Sequence, residues 1–319
     1  MNLEIDRDQL DLVRTTAEVC AEQTELWRAS STPDLTKLGQ VGVLGVRHPE
    51  PEGSGLGPVE AVLVARECGA ALAPTPLLVW ADLAGPAVPG GLSGQLTVTG
   101  TLSAERVVSF GGATDLVLVT DADGALAVRS DTLTWQPLDS VDPAVPRARI
   151  VDAEPEGERV ADADAVRDWR WQARLLAAAH LSGLGRAAVS TAVAHALDRH
   201  QFGRPIGGFQ AVKHLLADAH TDVELAFSQT LLASVCWAEG DERAADQADA
   251  AALVALRAAL TASETAIQVH GGMGFTWEST PHRYYKRALL IAEEFGVEST
   301  LGVRLAGRGL SLNGSRSAS

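Results

Sequence analysis

Two polar, glycine-containing segments hold the residue types best suited to chemistry in this chain. The first runs Arg199-His200-Gln201-Phe202-Gly203-Arg204-Pro205-Ile206-Gly207-Gly208-Phe209-Gln210. The second runs Gln268-Val269-His270-Gly271-Gly272-Met273-Gly274-Phe275-Thr276. Each follows a long apolar-periodic stretch, so each reads as a sharp helix stop with backbone amides exposed and an amide side chain nearby. The first segment adds two arginines. Such a corner can hold a dinucleotide: guanidinium on pyrophosphate, N–H groups on phosphate or ribose, an aromatic face against a ring. The same composition suits an ordinary interhelical loop, and residue types alone leave both readings open.

Long helices must position these corners. Apolar periodicity predicts helices from Val166 to about His200, over Phe209–Glu239 and over Arg243–His270, with shorter ones over Pro281–Glu294 and Val297–Leu305. Within the second, Val212, Leu216, Ala219, Val223, Ala226 and Thr230 step by four and three, the seam of a bundle helix. The Ala- and Leu-rich third helix is expected at the centre, stopped by Gly271-Gly272. Residues 1–90 also read as helical, with runs over Asp8–Trp27 and Pro58–Leu72 and a breaker-rich loop at 49–57 between them. Residues 91–155 change period. Leu96–Gly100, Leu116–Thr120, Ala125–Val128 and Leu133–Pro137 read as strands, and Asp123-Gly124 marks a hairpin turn. Three units are expected: an N-terminal helical domain (1–90), a small antiparallel β domain (91–155) and a C-terminal helical bundle (156–319).

The 319 residues are 46% hydrophobic and 21% charged, enough for a sizeable core. A net charge of −15 disfavours nucleic acid and anionic lipid as partners. The abundance of Ala and Arg, with only Lys37, Lys213 and Lys286 as lysines, reads as GC-rich codon usage. Cys20, Cys68 and Cys236 are far apart in sequence and suggest buried thiols, with no metal-ligand pair or disulfide framework. No signal peptide is visible in MNLEIDRDQL, and no stretch is expected to span a membrane, so a cytosolic location is expected. Gly53-Ser54-Gly55-Leu56-Gly57 reads as a loop, Trp169 and Trp171 as packing residues, and His214 and His270 as structural hydrogen-bonding groups.

The two corner motifs resemble the acyl-CoA dehydrogenase family. Arg-x-Gln-Phe-Gly-x-Pro-Ile-x-x-Phe-Gln is followed, 58 positions from Gln210 to Gln268, by Gln-x-His-Gly-Gly-x-Gly-Phe, in that family's order. The likeness covers about residues 165–290. It is weaker at Leu38-Gly39-Gln40-Val41-Gly42, the 49–57 loop and Glu67-Cys68-Gly69. It implies the family fold: helical domain, β domain, four-helix bundle. It also implies FAD as cofactor and α,β-dehydrogenation of an acyl-CoA thioester, with a carboxylate taking the α-proton and the flavin accepting hydride. By the family's pattern, Arg199 would pair with the flavin pyrophosphate across a subunit boundary. Gln201 and Phe202 would line it, Ile206 would touch it apolarly and Gln210 would hydrogen-bond. Gln268, Gly271 and Gly272 would lie on the adenine and pyrophosphate side.

The chain departs from the family where the chemistry is done. The usual catalytic Glu stands in a Tyr-Glu-Gly-like context; the ungapped stretch here, Ala292-Glu293-Glu294-Phe295-Gly296, puts Phe295 at that place. Glu293 and Glu294 are the neighbouring carboxylates, and a one-residue step on a helix turns a side chain by about 100°. The alternative base position, before an Arg on the first long helix, reads Ala173-Arg174. The Thr-Glu-Pro-like segment that holds the flavin ring is not found between residues 80 and 155. The chain thus resembles the shortened subunits of heteromeric α2β2 dehydrogenases of actinobacterial steroid breakdown. That resemblance implies a full-length partner subunit and an electron-transfer acceptor protein, or else a catalytically silent structural subunit.

Overall fold

The structure, a computed structural model, describes residues 5–29, 33–152, 154–297, 301–302 and 304–305. Four helices come first: α1 (Arg7–Ala29), α2 (Thr36–Gln40), α3 (Pro58–Ala70) and α4 (Thr75–Ala84). Pro58 opens α3, where its missing N–H costs nothing. The 53–57 loop ends there, with the Gly57 N–H donating to Glu60 Oε2 at 2.9 Å. Cys20 of α1 and Cys68 of α3 are both buried, with their sulfurs 3.7 Å apart.

Seven strands follow: β1 (Val98–Thr101), β2 (Val107–Ser109), β3 (Leu116–Thr120), β4 (Gly124–Arg129), β5 (Trp135–Leu138), β6 (Arg147–Ile150) and β7 (Glu158–Asp162). They form two sheets, ordered β1-β3-β4-β7 and β2-β6-β5. Val108, Val117, Val119, Val128, Leu133 and Ile150 fill the space between them. The expected all-antiparallel domain is corrected in one place: β1 and β3 run parallel, with Val98 opposite Leu116. Between them the chain crosses to the other sheet through β2, so it re-enters the first sheet in the same direction. The hairpin at Asp123-Gly124 joins β3 to β4 as expected. Three strands are absent from the sequence reading. β2 and β6 are short, and β7, which pairs with β4, has the polar sequence ERVAD beyond residue 155.

The bundle is α5 (Ala163–Asp198), the small hairpin β8 (His200–Gln201) and β9 (Arg204–Pro205), α6 (Gln210–Ala238), α7 (Ala244–His270) and α8 (Pro281–Glu294). Asp162 caps α5 by accepting the Ala165 N–H at 2.8 Å. Of the predicted α6 seam, Ala219, Val223, Ala226 and Thr230 are buried and Val212 and Leu216 half-buried. Helix α7 is central, packed on α5, α6 and α8. Its buried face is largely alanine: residues 244, 248, 251, 252, 255, 258, 259, 262 and 266. Alanine abundance therefore has a packing role here, beyond codon usage. By length and composition α7 is apolar enough to cross a bilayer. That corrects the expectation that no stretch would qualify, and the helix is the core of this bundle. Trp169 packs edge-on against Trp80, and Trp171 against Trp237, as packing residues. Of the helix expected over 297–305, Leu301, Gly302, Arg304 and Leu305 are helical; residues 298–300 and 303, and the polar tail, lie outside the described residues.

The N-terminal helices join the bundle by backbone contact. A Cβ on Gly183 of α5 would strike the Arg66 carbonyl of α3, and one on Gly69 of α3 would strike the His180 carbonyl of α5. Neither carbonyl can move without breaking its helix. Gly183→Ala is therefore expected to lower unfolding free energy by about 2 kcal/mol or more. Denaturant unfolding with an unchanged m-value would check it, and a loss below about 0.5 kcal/mol would refute the tight crossing.

Candidate nucleotide corner

Helix α5 stops at Asp198 because Arg199 turns extended (φ −75°, ψ 118°) while its N–H still reaches the His195 carbonyl. The chain then doubles back in a hairpin with Phe202 and Gly203 at the tip, at φ 50° and 78°. A two-residue loop with both φ positive twists with its flanking strands. Glycine adopts such a φ freely; a phenylalanine does so under strain. Phe202 is also 92% exposed. Its ring meets Phe209 edge-to-face at 6.1 Å, and the Arg204 guanidinium covers Phe209 at 4.1 Å. The Ile206 N–H donates to the Arg199 carbonyl at 2.8 Å and closes the corner. Helix α6 then starts at Gln210 with no side chain capping it, so its first amides and positive dipole end remain available to an anion.

The second corner is the end of α7. Gly271 sits at φ 64°, ψ −140°, a conformation that glycine accommodates, and space beside both Gly271 and Gly272 is open. A groove of about 490 Å³ is lined there by Glu264, Ile267, Gln268, Gly271, Gly272, Phe275 and Tyr285. The two corners meet through a pair of histidines. His195, on the last turn of α5, stacks on His270, the last residue of α7, with centroids 4.2 Å apart and planes within 20°. Nδ1 of His270 pairs with the Ala266 carbonyl at 2.7 Å. Burial, then His270 and Arg199, lower the pKa of His195, which favours a neutral ring beside the guanidinium.

The structure therefore places the predicted residues in two adjoining clusters. Arg199, Gln201, Phe202, Ile206 and Gln210 form one, and Gln268, Gly271 and Gly272 the other. Arg199, Gln201, Phe202, Gln210, Gln268, Gly271 and Gly272 are exposed, and Ile206 is half-exposed. The donor set of guanidinium, uncapped helix start, glycine backbone and carboxamides fits the diphosphate end of a dinucleotide. His195, Glu264 and Tyr285 were missed by sequence reasoning. His195 lies one helical turn before Arg199, which was the available signal. His214 is exposed on α6 and takes no part in the stack.

Residues 171–305 match the model "Acyl-CoA dehydrogenase, C-terminal domain". Acyl-CoA dehydrogenase IpdE2 of Mycobacterium tuberculosis is 36% identical over 78% of this chain and 77% of its own length. The chain belongs to the acyl-CoA dehydrogenase family. FadE34 of the same organism is 33% identical over 83% of this chain, but the chain spans only 40% of it. Among solved structures, a variant of the steroid ACAD Tcur3481-Tcur3483 superposes with a TM-score of 0.83. It is 24% identical and covers 99% of this chain and 100% of that one. The fold expected from the motifs, helical domain, β domain and helical bundle, is the family fold.

The carboxylates near the family's usual base lie elsewhere. They sit at the far end of α8, a helix of 14 residues and so roughly 20 Å long. Glu293 pairs with Arg147 at 2.6 Å. Glu294 is half-buried and accepts a hydrogen bond from Ser109 Oγ of β2 at 2.8 Å. Phe295 is 2% exposed, within the core. At the alternative base position Ala173 is buried, and Arg174 pairs with Asp249 at 2.5 Å.

Burial raises the Glu294 pKa from its ordinary 4.5 to about 7, with Ser109 and Arg147 opposing. A raised carboxyl pKa means that the folded chain keeps a proton the unfolded chain has released. Stability should fall as pH rises from about 4.5 to about 7, then level off. Glu294→Gln cannot titrate. Its stability relative to the parent should improve across that window by about 2 kcal/mol, less to the extent that solvent reaches the side chain. Urea titrations at several pH values would check this, and a pH-independent difference would refute a buried, proton-holding Glu294.

Proposed function

We propose that this chain is a subunit of a cytosolic, FAD-dependent acyl-CoA dehydrogenase, and that it completes the flavin site of a full-length partner. The observation that carries the reading is the stacking of His195 on His270, which unites two nucleotide-type corners at one end of the bundle. Arg199 and the start of α6 would take the pyrophosphate. Gln201, Phe202, Ile206 and Gln210 would line it, with Gln268, Gly271 and Gly272 on the adenine side. FAD in this family accepts hydride from an acyl-CoA thioester, and this chain's own residues would bind and orient its nucleotide half. The Thr-Glu-Pro-like segment that holds the flavin ring in the family is not found between residues 80 and 155. Phe295 fills the usual base position, and Glu293 and Glu294 are already partnered. A partner that supplies ring contacts and base fits that division.

Two further features support a partner. Val193, Leu197 and Leu215 are 38%, 65% and 45% exposed, beside an apolar groove between α5 and α6. Exposed apolar surface of this kind marks an interaction face. One structural neighbour matched over its whole chain carries a name that joins Tcur3481 to Tcur3483 and calls them a steroid ACAD. An α2β2 assembly acting on a steroid-derived acyl-CoA, with electrons passed to an electron-transfer protein, is the form we propose. The second reading is a silent structural subunit, favoured by the engaged carboxylates.

The test is to co-purify the chain with a full-length dehydrogenase partner and measure flavin absorbance per complex. Arg199→Ala should weaken FAD retention by about tenfold, as expected for loss of a charge-assisted contact, while the complex stays assembled. Flavin content and melting temperature both unchanged in Arg199→Ala would refute the nucleotide role and favour the structural subunit.

A further inference from the structure

A second site lies away from the nucleotide corner. A cavity of about 170 Å³ opens where the end of α1, the α3–α4 turn, the β5–β6 loop and the first turns of α8 converge. Its lining includes Trp27, Asp142, Trp277, His282, Lys286 and Arg287. The chain as a whole is strongly acidic, yet this cavity collects cations. Arg287 is 3% exposed and engaged through Nε and Nη1. It donates to Asp142 Oδ2 at 2.5 Å and to the Leu72 and Ala73 carbonyls at 2.9 and 2.5 Å. Asp142 also accepts the Ala144 N–H at 3.1 Å, so its charge is spoken for. Arg283 and Lys286 remain. Among the described residues neither has a carboxylate partner. Arg283 donates only to the Trp277 carbonyl, at 3.1 Å, and the Lys286 ammonium lies over the Trp277 ring at 4.4 Å.

His282 is the decisive residue. It lines the cavity and is 5% exposed; among the described residues neither ring nitrogen makes a well-formed hydrogen bond, although the Thr276 backbone is close enough to act on the ring. Its neighbour Trp277 meets it edge-to-face at 5.2 Å and offers no acceptor oxygen from its ring. Even with the Thr276 backbone beside one nitrogen, a buried imidazole so poorly matched calls for a further partner or water on the cavity side. The positive end of the α8 dipole, at a helix start that no side chain caps, adds to the field of Arg283 and Lys286.

We infer that this cavity is a binding site for a small oxyanion, the phosphate or carboxylate group of a free ligand, held by His282 and Lys286 with Arg283 at the rim. An imidazole N–H would donate to one oxygen and the ammonium to another. Arg287 and Asp142 would fix the floor without contributing net charge. The volume accommodates a tetrahedral anion and water. The inference is independent of the flavin reading, since no residue is shared with the nucleotide corner.

Calorimetric titration of the full chain with inorganic phosphate, and separately with acetate, tests it, with chloride matched to hold ionic strength. Saturable binding of one equivalent is expected for at least one anion, and the preferred anion distinguishes a phosphate-bearing ligand from a carboxylate-bearing one. His282→Phe keeps the ring shape and removes its nitrogens. Lys286→Ala removes the ammonium from a partly exposed position and keeps the test open should His282→Phe fail to fold. Each is expected to weaken binding by about tenfold or more. No saturable binding of either anion overturns the site, as does binding that survives a folded variant unchanged.

Discussion

Close approach of helix backbones is the constraint on which the arrangement rests. Alanine along the buried face of α7, and glycine at positions 69, 183 and 185, let neighbouring helices pack with little side chain between them. Helices held at that distance have few ways to slide, because each carbonyl or Cβ fits one recess in its neighbour. Their ends are therefore fixed as firmly as their middles. The stacking of His195 on His270 follows from this, and so does the adjacency of two loops separated by a whole helix pair in sequence. A corner built on such ends is positioned by the packing and not by the loops themselves.

The β domain meets the helices through a polar seam. Ser109 reaches Glu294, Arg147 reaches Glu293, and Asp142 holds Arg287. Each pair links a sheet or its loops to α8, and two of them place a charge where water is scarce. Pairing is what makes that burial tolerable, since an uncompensated charge at either position would cost several kcal/mol. His282, on the same helix, departs from this pattern: among the described residues its ring nitrogens make no well-formed hydrogen bond.

Much of this was legible in the residues. Helix α8 runs from the predicted Pro281 to the predicted Glu294, and α6 and α7 begin and end within one residue of expectation, because Pro, Gly and apolar period all agreed there. The two corner motifs were visible as polar breaks at helix ends. What escaped was long-range. Strand β7 is polar and two-faced in exposure, so alternation could not reveal it. The parallel β1–β3 pair depends on which sheet β2 joins, which no local pattern encodes. Cys20 and Cys68 are 48 positions apart and meet only because α1 lies on α3. Alanine looked like codon usage until its placement on one helix face gave it a function in packing.

The same distinction bears on Glu294. In sequence it is simply the carboxylate nearest to Phe295. In the fold, its carboxylate accepts from Ser109, and burial raises its pKa to about 7. A pKa near neutrality suits a general base, but a base must also face its substrate. Here the available geometry faces β2, so acting as a base would require exchanging Ser109 for a substrate carbon. The more economical account of the raised pKa is burial at the seam, the first cause of its shift. Under that account, Phe295 in the core and Glu294 on the sheet are two consequences of one packing solution. The end of α8 closes against the β domain, while the opposite end of the bundle, where the two corners adjoin, stays open.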